Sequence, residues 1–360
     1  MDWYQTGYSY HVDVAVVSPT NVFTTLGLLT GVQLDNCTIN DNYYSDSRVQ
    51  AKVVTVVKDG KSDGYIANAR LKIILSIPSR GWIEPLVTGY VSDIAESKDH
   101  GYIKRTYTIE GTIWGLLDHV LKDPVTIGKG AKLINIWTSL MSGQTKMQYD
   151  TTGAQDHSYK NTILYEAGTK LGTLLFELSE SYDRMDTDGY GVVTLKKYVA
   201  PADRGADRVV FFNQFKNITL PQTGNTSSEY DNPGRVVVTA SVSIEKDGKT
   251  TQQVVVGSYD APSSDKNSIE VRGYLKGTTE SYSGVSENPS KSELNTVAKK
   301  KYTDAQSSGR EWDASSVFAN YKAGEVIMYV HSNLEESKCL VKTVNTNLAT
   351  MTQDLTLKEV

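Results

Sequence analysis

The chain has 360 residues, enough for two or three domains with cores of their own. Its 37 Lys and Arg against 42 Asp and Glu leave a net charge of −5, scattered rather than blocked, which excludes a partner held by basic charge, such as nucleic acid or an acidic membrane surface. No apolar run approaches the ~18 residues of a membrane-spanning helix. The start, Met1-Asp2-Trp3-Tyr4-Gln5, lacks the basic and apolar segments of a secretion signal, so a cytosolic product is expected.

Residues 1–123 read as a first β unit. Tyr8–Val17 alternates with Tyr8, Tyr10, Val12, Val14 and Val16 on one face, and Leu26–Val32 reads as an apolar connector. Val49–Val57 and Ala67–Ile77 are strands, expected to form a hairpin across Lys58–Gly64, whose Asp-Gly pairs favour positive φ. Leu86–Ile94 and Tyr102–Ile113 form a second antiparallel pair across Glu96–Gly101. Thr112–Leu121 then turns helical, with Ile113, Leu116, Leu117 and Val120 on one face and Pro124 past its end.

Residues 124–205 read as a small α/β segment built on two matching runs. Gly130-Ala131-Lys132-Leu133 continues through Ile136 and Trp137 to Leu140. Gly168-Thr169-Lys170-Leu171, 38 residues later, continues through Leu174 and Leu175 to Leu178. Each places apolar side chains at i, i+3, i+4 and i+7, one face of an amphipathic helix, and the pair suggests a structural duplication. Thr169 is placed to cap the second helix. Thr151-Thr152-Gly153 and Asp186–Gly191 read as turns, the latter leading into the strand Val192–Tyr198.

Residues 206–360 return to β. Arg208–Phe212, Arg235–Glu245, Thr250–Gly257 and Ser268–Gly273 read as strands, the second and third joined by Lys246-Asp247-Gly248-Lys249. Asn288-Pro289-Ser290 opens a helix, Lys291–Gln306, with Leu294, Val297, Ala298 and Tyr302 as its apolar positions. Glu311–Val317, Glu325–Val330, Ser337–Val344 and Met351–Lys358 are the closing strands. Residues 221–234 and 257–268 read as loops. The fold class is therefore α+β and mainly β, consistent with 22 Tyr and only 9 Pro: two β units flanking a small α/β segment.

Chemistry-bearing motifs are scarce. The chain holds no H-E-x-x-H, C-x-x-C, G-x-S-x-G or phosphate-cradling Gly loop. His11, His100, His119, His157 and His331 stand apart, without a second ligand at metal spacing. Arg184–Gly189 resembles the start of a calcium loop, but Arg184 stands where the first carboxylate belongs and Leu195 where the bidentate Glu belongs, so a hairpin turn explains it better. Glu335-Glu336 and Glu177 with Glu180 are carboxylate pairs best read as solvated charge. Trp82, Trp114, Trp137 and Trp312 are candidates for an aromatic platform, with Trp137 assigned to the core by its helix face. Cys37 and Cys339 read as buried free thiols, with a disulfide as the alternative. No catalytic, cofactor-binding or metal-binding residue is assigned, and no cofactor is expected.

Three stretches together resemble the baseplate hub, or tail hub, proteins of tailed bacteriophages and contractile injection machines. Leu86–Ser92 with Ile109–Leu117 is similar to the strand-to-helix passage that ends the family's first barrel. Gly168–Leu178 with Asp188-Gly189 and Val192–Leu195 resembles its helix-plus-hairpin middle domain. Ala323–Val330, Cys339–Val344 and Asp354–Lys358 resemble its closing strands. The resemblance implies two tail-tube-like barrels or sandwiches, at 1–123 and 206–360, flanking the middle domain at 124–205. It further implies a homotrimer that presents six barrels to a sixfold tail tube and a threefold face to a spike or tail tip, and that lines a channel for DNA in transit. The implied partners are the chain itself, a tail tube or distal tail protein, a spike or tail-tip protein and, as a further candidate, the tape measure protein. The implied place is the virion tail, assembled in the host cytoplasm, with no membrane partner and no enzymatic activity. The chain stops at Val360, just past the closing strand pattern, which argues against the peptidoglycan-cleaving role of longer relatives. A carbohydrate-binding or glycan-cleaving tail protein is the alternative, and a surface adhesin is disfavoured by the missing signal.

Overall fold

The computed structural model describes residues 9–360 apart from 46, 161, 180–182, 215–216, 220–231, 247–248, 266, 283–288, 306–310 and 332–333. Tyr8, the Asp247-Gly248 turn, Asn288 at the start of the last helix, Gln306 at its end and most of the 221–234 loop lie outside the described residues. In chain order the first part forms β1 (His11–Val17), β2 (Thr25–Leu28), β3 (Thr38–Asn42), β4 (Val49–Lys58), β5 (Arg70–Ile77), β6 (Trp82–Asp99), β7 (Tyr102–Gly111) and helix α1 (Thr112–Asp118). The centre forms β8 (Val125–Ile127), α2 (Leu133–Gln144), β9 (Tyr149–Gly153), β10 (Ile163–Tyr165), α3 (Leu171–Ser179), β11 (Asp183–Thr187) and β12 (Val193–Lys197). The last part forms β13 (Arg208–Phe211), β14 (Asn217–Thr219), β15 (Arg235–Lys246), β16 (Lys249–Asp260), α4 (Ile269–Arg272), β17 (Gly277–Ser281), α5 (Lys291–Ala305), β18 (Glu311–Val317), β19 (Val326–Val330), β20 (Glu336–Asn347) and β21 (Thr352–Glu359).

One 13-stranded sheet runs through both ends of the chain in the order β14-β18-β21-β20-β3-β4-β7-β6-β5-β1-β2, with β19 and β13 attached beside β20. Within it a five-strand pattern occurs twice. In the first part β3 to β7 lie side by side as β3-β4-β7-β6-β5. In the last part β14 and β18 to β21 lie as β14-β18-β21-β20-β19, the same connectivity. The register repeats as well. The β6–β7 ladder slips between Val91 and Asp93, and the β20–β21 ladder slips between Val341 and Thr343. The repeat ends at the next strand, where β1 joins β5 antiparallel while β13 joins β19 parallel. Between β14 and β18 the chain forms a three-stranded sheet, β16-β15-β17, whose Val236, Val238 and Ala240 pack on Leu294, Val297, Ala298 and Tyr302 of α5. The four apolar positions read from the sequence are the buried face of that helix.

The central part carries a local twofold built on the 38-residue offset. Leu133 N–H donates to the His157 carbonyl, and Leu171 N–H donates to the His119 carbonyl. Gly130 N–H donates to Tyr159 O and Gly168 N–H to Leu121 O. Strands β8 and β10 pair antiparallel about Thr126 opposite Leu164, so the twofold passes through that pair. Each helix is thus held by the segment that leads into the other half. Leu133, Trp137 and Leu140 of α2 and Leu171, Leu174, Leu175 and Leu178 of α3 fill one shared core. Gly130 and Gly168 both adopt left-handed φ, +83° and +92°, which an L side chain resists.

Several local expectations are corrected. Strands β4 and β5 do not form a hairpin: β4 pairs with β3 and β7, and β5 pairs with β1 and β6. The Lys58–Gly64 turn is instead drawn inward by Asp63, which is fully buried and accepts hydrogen bonds from Tyr107 Oη (2.5 Å) and Thr55 Oγ1 (2.8 Å), with Arg105 at 3.2 Å. The β6–β7 turn is tighter than expected, only His100-Gly101, both at positive φ. Thr25–Leu28 is a strand rather than connector. Thr151–Gly153 is strand β9, and β16 runs on to Asp260 into the stretch expected as loop. Ser268–Gly273 is one helical turn, with Ser268 Oγ accepting from Val271 N and Gly273 at φ +76° closing it. Thr169 does not cap α3; its hydroxyl donates to Glu166 O at 2.8 Å. These elements depend on tertiary partners that local propensity does not see.

Burial pushes the Asp63 carboxyl up, but the hydrogen bonds from Tyr107, Thr55 and Tyr65 outweigh it and hold it below the usual range. A depressed carboxyl adds stability at neutral pH that is lost as pH falls through its folded value. Asp63→Ala is expected to cost about 2–4 kcal/mol at pH 7, because Tyr107 and Thr55 lose a buried acceptor; urea unfolding at pH 7 and pH 3 checks both size and pH loss. Gly130→Ala and Gly168→Ala are each expected to cost about 1–2 kcal/mol. Thermal unfolding that shows one sensitive and one neutral would contradict the twofold.

Candidate functional site: a polar sheet face and the joint behind it

Strand residues two apart share a face, so the register of the large sheet fixes what each side presents. One side buries Trp312, Ala314, Leu355, Leu357 and Val344 in the last part, and Ile39, Ala51, Val53, Tyr107 and Ile109 in the first. The other presents a row that crosses the whole join: Ser315 opposite Asp354, Asp354 opposite Asn345, Asn345 opposite Asn40, Asn40 opposite Gln50, and Gln50 opposite Glu110. Beside it run Asp313, Thr356, Thr343 and Asn42. On the other flank lie Asn347, Thr38, Lys52, Thr108 and Asp93. Ser315 donates to Asp354 at 2.6 Å and Gln50 to Glu110 at 2.7 Å. The charges of these rows are Asp93, Glu110, Asp313 and Asp354 against Lys52. Where lysines approach, Lys342 is held by Glu311 at 2.8 Å and Lys358 lies over the Tyr44 ring. The face is polar, short-chained and acidic.

Behind it, one cluster ties the three parts of the chain together. Arg48, in the loop after β3, lies 3.0 Å from Asp41 and 3.5 Å from Asp186 of β11, and it donates to the Ala323 carbonyl. Asp41 in turn accepts from Ala323 N at 2.8 Å. Arg184 of β11 stacks on the Tyr43 ring at 3.6 Å and donates to the Tyr43 carbonyl. Gly324, at φ +90°, lies against the same ring, where a Cβ would come within 2.7 Å of it. Arg204 donates to Gly324 O at 2.9 Å, and Arg208 pairs with Glu325 at 2.9 Å. Next to this cluster is a cavity of about 610 Å³, bounded by Tyr43, Arg184, Asp183, Phe176, Leu117 and Tyr198. Burial raises the Asp41 carboxyl to about 6 despite Arg48, and raises Glu325 and Asp183 in the same sense.

The residues singled out in the sequence are dispersed. His11 pairs with Asp13 and His100 with Asp99, both exposed; His331 packs between Trp312 and Tyr329 with its Nε2 2.9 Å from Ser337 Oγ. Among the described residues no group of three His, Cys, Asp or Glu side chains could hold a metal ion. The Asp186–Gly191 loop is a hairpin turn, closed by Gly191 N–H on Asp188 O, and Asp186 faces Arg48. Trp137 and Trp312 lie in the core, which removes them from any aromatic platform, and Trp82 packs beside Phe318 and Leu75. Glu180 lies outside the described residues. Cys37 and Cys339 are buried and unpaired, and burial raises both thiols, Cys339 to about 12. The Asp41–Arg48–Asp186 cluster and the polar face were missed in the sequence, because neither is a motif; alternation in β3, β18 and β21 is the signal that carries the face.

A carboxyl raised in the fold gives stability that is complete below its unfolded value, near 4, and lost as pH rises through its folded value. Relative to Asp41→Asn, the wild-type chain should therefore gain about 1–2 kcal/mol between pH 7.5 and pH 4.5, because burial holds this carboxyl at about 6 in the fold. Urea unfolding of both proteins at the two pH values measures it; a gap independent of pH would mean Asp41 is charged throughout.

Scanned by sequence against protein-family models and curated proteins, the chain matches none. Its fold does have counterparts. It superposes on the tail protein from Neisseria meningitidis MC58 with TM-score 0.65 at 12% identity, covering 98% of this chain and 97% of that one. It superposes on the 43 kDa tail protein of prophage MuSo2 from Shewanella oneidensis with TM-score 0.65 at 10% identity, covering 97% and 98%. A third counterpart is an E. coli type VI secretion component that is itself structurally similar to the bacteriophage T4 tail proteins gp27 and gp5. There the TM-score is 0.53 at 10% identity, covering 99% of this chain and 76% of that one. The chain thus has the mainly β fold shared by phage tail proteins and their counterparts in contractile injection systems.

Proposed function

We propose that the chain is a structural tail hub. Three copies form a ring that mates a sixfold tail tube, through two tube-like units per chain, to a threefold spike or tail tip. The units correspond to residues 1–123 and 206–360, with 124–205 as the middle domain. The observation that carries this reading is the repeated five-strand pattern fused into one sheet, since two like units side by side are what a threefold ring needs to present a sixfold surface. The polar acidic face is the proposed channel wall. Side chains such as Asn40, Asn345, Thr343 and Asp354 give passing DNA no cation to neutralise its phosphates, so it does not stick. The proposed partners are the chain itself, a tube or distal tail protein, a spike or tip protein and the tape measure protein, in a virion tail assembled in the host cytoplasm. No catalytic step is part of this role.

Two measurements test it. Purified protein, alone or with its tube protein, is expected at three times the 39.7 kDa chain mass and as open threefold rings by electron microscopy; a chain that stays monomeric with the tube protein present overturns the ring. The ring should not retain duplex DNA at 50 mM salt, whereas Asp313→Lys/Asp354→Lys should retain it with a binding constant that falls as salt rises, by about one further log-log slope unit per phosphate engaged. Tight DNA binding by the unaltered ring would overturn the channel reading.

A further inference from the structure

A second cavity, of about 530 Å³, shares the Tyr43–Arg184 stack with the first and lies between the first, middle and last parts of the chain. Three arginines meet in its wall around Gly324. A Cβ at Gly324 would come within 3.3 Å of Arg48 Nη2 and within 2.7 Å of the Tyr43 ring on which Arg184 stacks, and Arg204 Nη1 donates to the Gly324 carbonyl at 2.9 Å. Each guanidinium donates to a main-chain carbonyl: Arg48 to Ala323, Arg184 to Tyr43 and Arg204 to Gly324. A carbonyl accepts a hydrogen bond but does not neutralise a charge. Arg48 also has carboxylates, Asp41 at 3.0 Å and Asp186 at 3.5 Å, but among the described residues none lies within ion-pair distance of Arg184 or Arg204. The other acidic groups of the wall are engaged elsewhere. Glu325 pairs with Arg208 at 2.9 Å, Asp207 accepts from Val326 N–H at 2.7 Å, and Asp188 accepts from Val192 N–H at 2.9 Å. Lys196 and Lys197 add positive charge to the wall, while its remaining cation, Lys322, is held by Glu84. Four guanidinium nitrogens, Arg48 Nη1, Arg184 Nε and Arg204 Nε and Nη2, are buried without a hydrogen-bond partner among the described residues, and the Arg48 side chain is only 9% exposed. Arginine does not shed its proton, so its burial without an anion is costly, and each unmade donor adds to the cost.

We propose that this cavity is a binding site for a phosphate-type oxyanion, held by Arg184 and Arg204 with Arg48 as a further donor. Planar guanidinium forks match the oxygens of a tetrahedral oxyanion, and charge-assisted bonds of this kind are the strong ones. The anion would supply at once the acceptors and the negative charge that the two middle-part arginines lack. The site is separate from the acidic sheet face. Its volume is ample for the ion but excludes a nucleic-acid duplex, so it is compatible with a channel wall that does not hold DNA. Because Arg48 belongs to the first part, Arg184 and Arg204 to the middle and Gly324 to the last, a bound oxyanion would tighten the joint between them, and binding would stabilise the folded chain by mass action.

Isothermal titration of the full chain with inorganic phosphate at fixed ionic strength tests the site. Saturable binding is expected with a dissociation constant of about 1 mM or tighter, together with a saturable rise in melting temperature; sodium chloride at the same ionic strength should give neither. Arg184→Gln and Arg204→Gln are each expected to weaken phosphate binding at least about tenfold. Without phosphate, Arg204→Gln should melt no lower than the unaltered chain, because it removes a half-buried charge that has no anion. A purely structural arginine gives the opposite pattern, a lower melting temperature with phosphate affinity unchanged, and that result overturns the proposal. A short oligothymidylate separates the sources of phosphate: the cavity is expected to take the free ion and not the strand. An unaltered chain that shows no saturable phosphate binding, or that binds the oligonucleotide as tightly as the free ion, overturns the site. Should one variant fail to fold, the unaltered chain and the other variant still decide.

Discussion

The constraint on which the molecule depends is the ladder between β20 and β3. It runs over only five residue pairs, but it turns two halves of a long chain into one sheet. Antiparallel strands carry their side chains alternately to opposite faces, so a one-residue slip there would bring the polar row of one half into line with the buried row of the other. The ion pairs behind the ladder guard that register. Asp41 sits on β3 itself and holds Ala323 N–H and Arg48 together, and Arg48 reaches on to Asp186 in the middle part. A slip would leave these buried charges without partners, which costs more than the loss of a few apolar contacts.

This arrangement explains why charge is treated so differently on the two sides of the sheet. On the core side, charged groups are few and engaged: Asp63 accepts from Tyr107 and Thr55, and Asp41 pairs with Arg48. On the open side, carboxylates sit among amides and hydroxyls, and the approaching lysines are drawn aside by Glu311 and Tyr44.

The middle part is a different solution to a similar problem. Two short helices with strongly apolar faces cannot be stable alone, since isolated helices of this length are marginal in water. The chain crosses the halves instead, so that the carbonyls of His119 and His157 each secure the first turn of the other half's helix. Arg184 and Asp186, on the hairpin that follows, then connect this small core to the large sheet.

Much of this was legible in the sequence. The strands of the large sheet announce themselves by alternation, and the two G-x-K-L runs announce paired helices, because these periodicities are local and each buries one face. The buried helix positions Trp137, Leu294 and Tyr302 followed from spacing alone. What the sequence could not decide was which strand lies beside which. Lys58–Gly64 reads as a hairpin turn by composition, yet β4 and β5 separate, because β7 occupies the edge of β4 and Asp63 finds its donors inside. The joining of residues 38–42 to residues 343–347, the repeat of one strand order in both halves, and the assembly of Asp41, Arg48 and Asp186 are likewise products of the tertiary structure. Backbone hydrogen bonds between strands carry no residue-specific code, so pairing across three hundred residues is settled only by the sum of packing, buried charge and loop closure in the folded molecule.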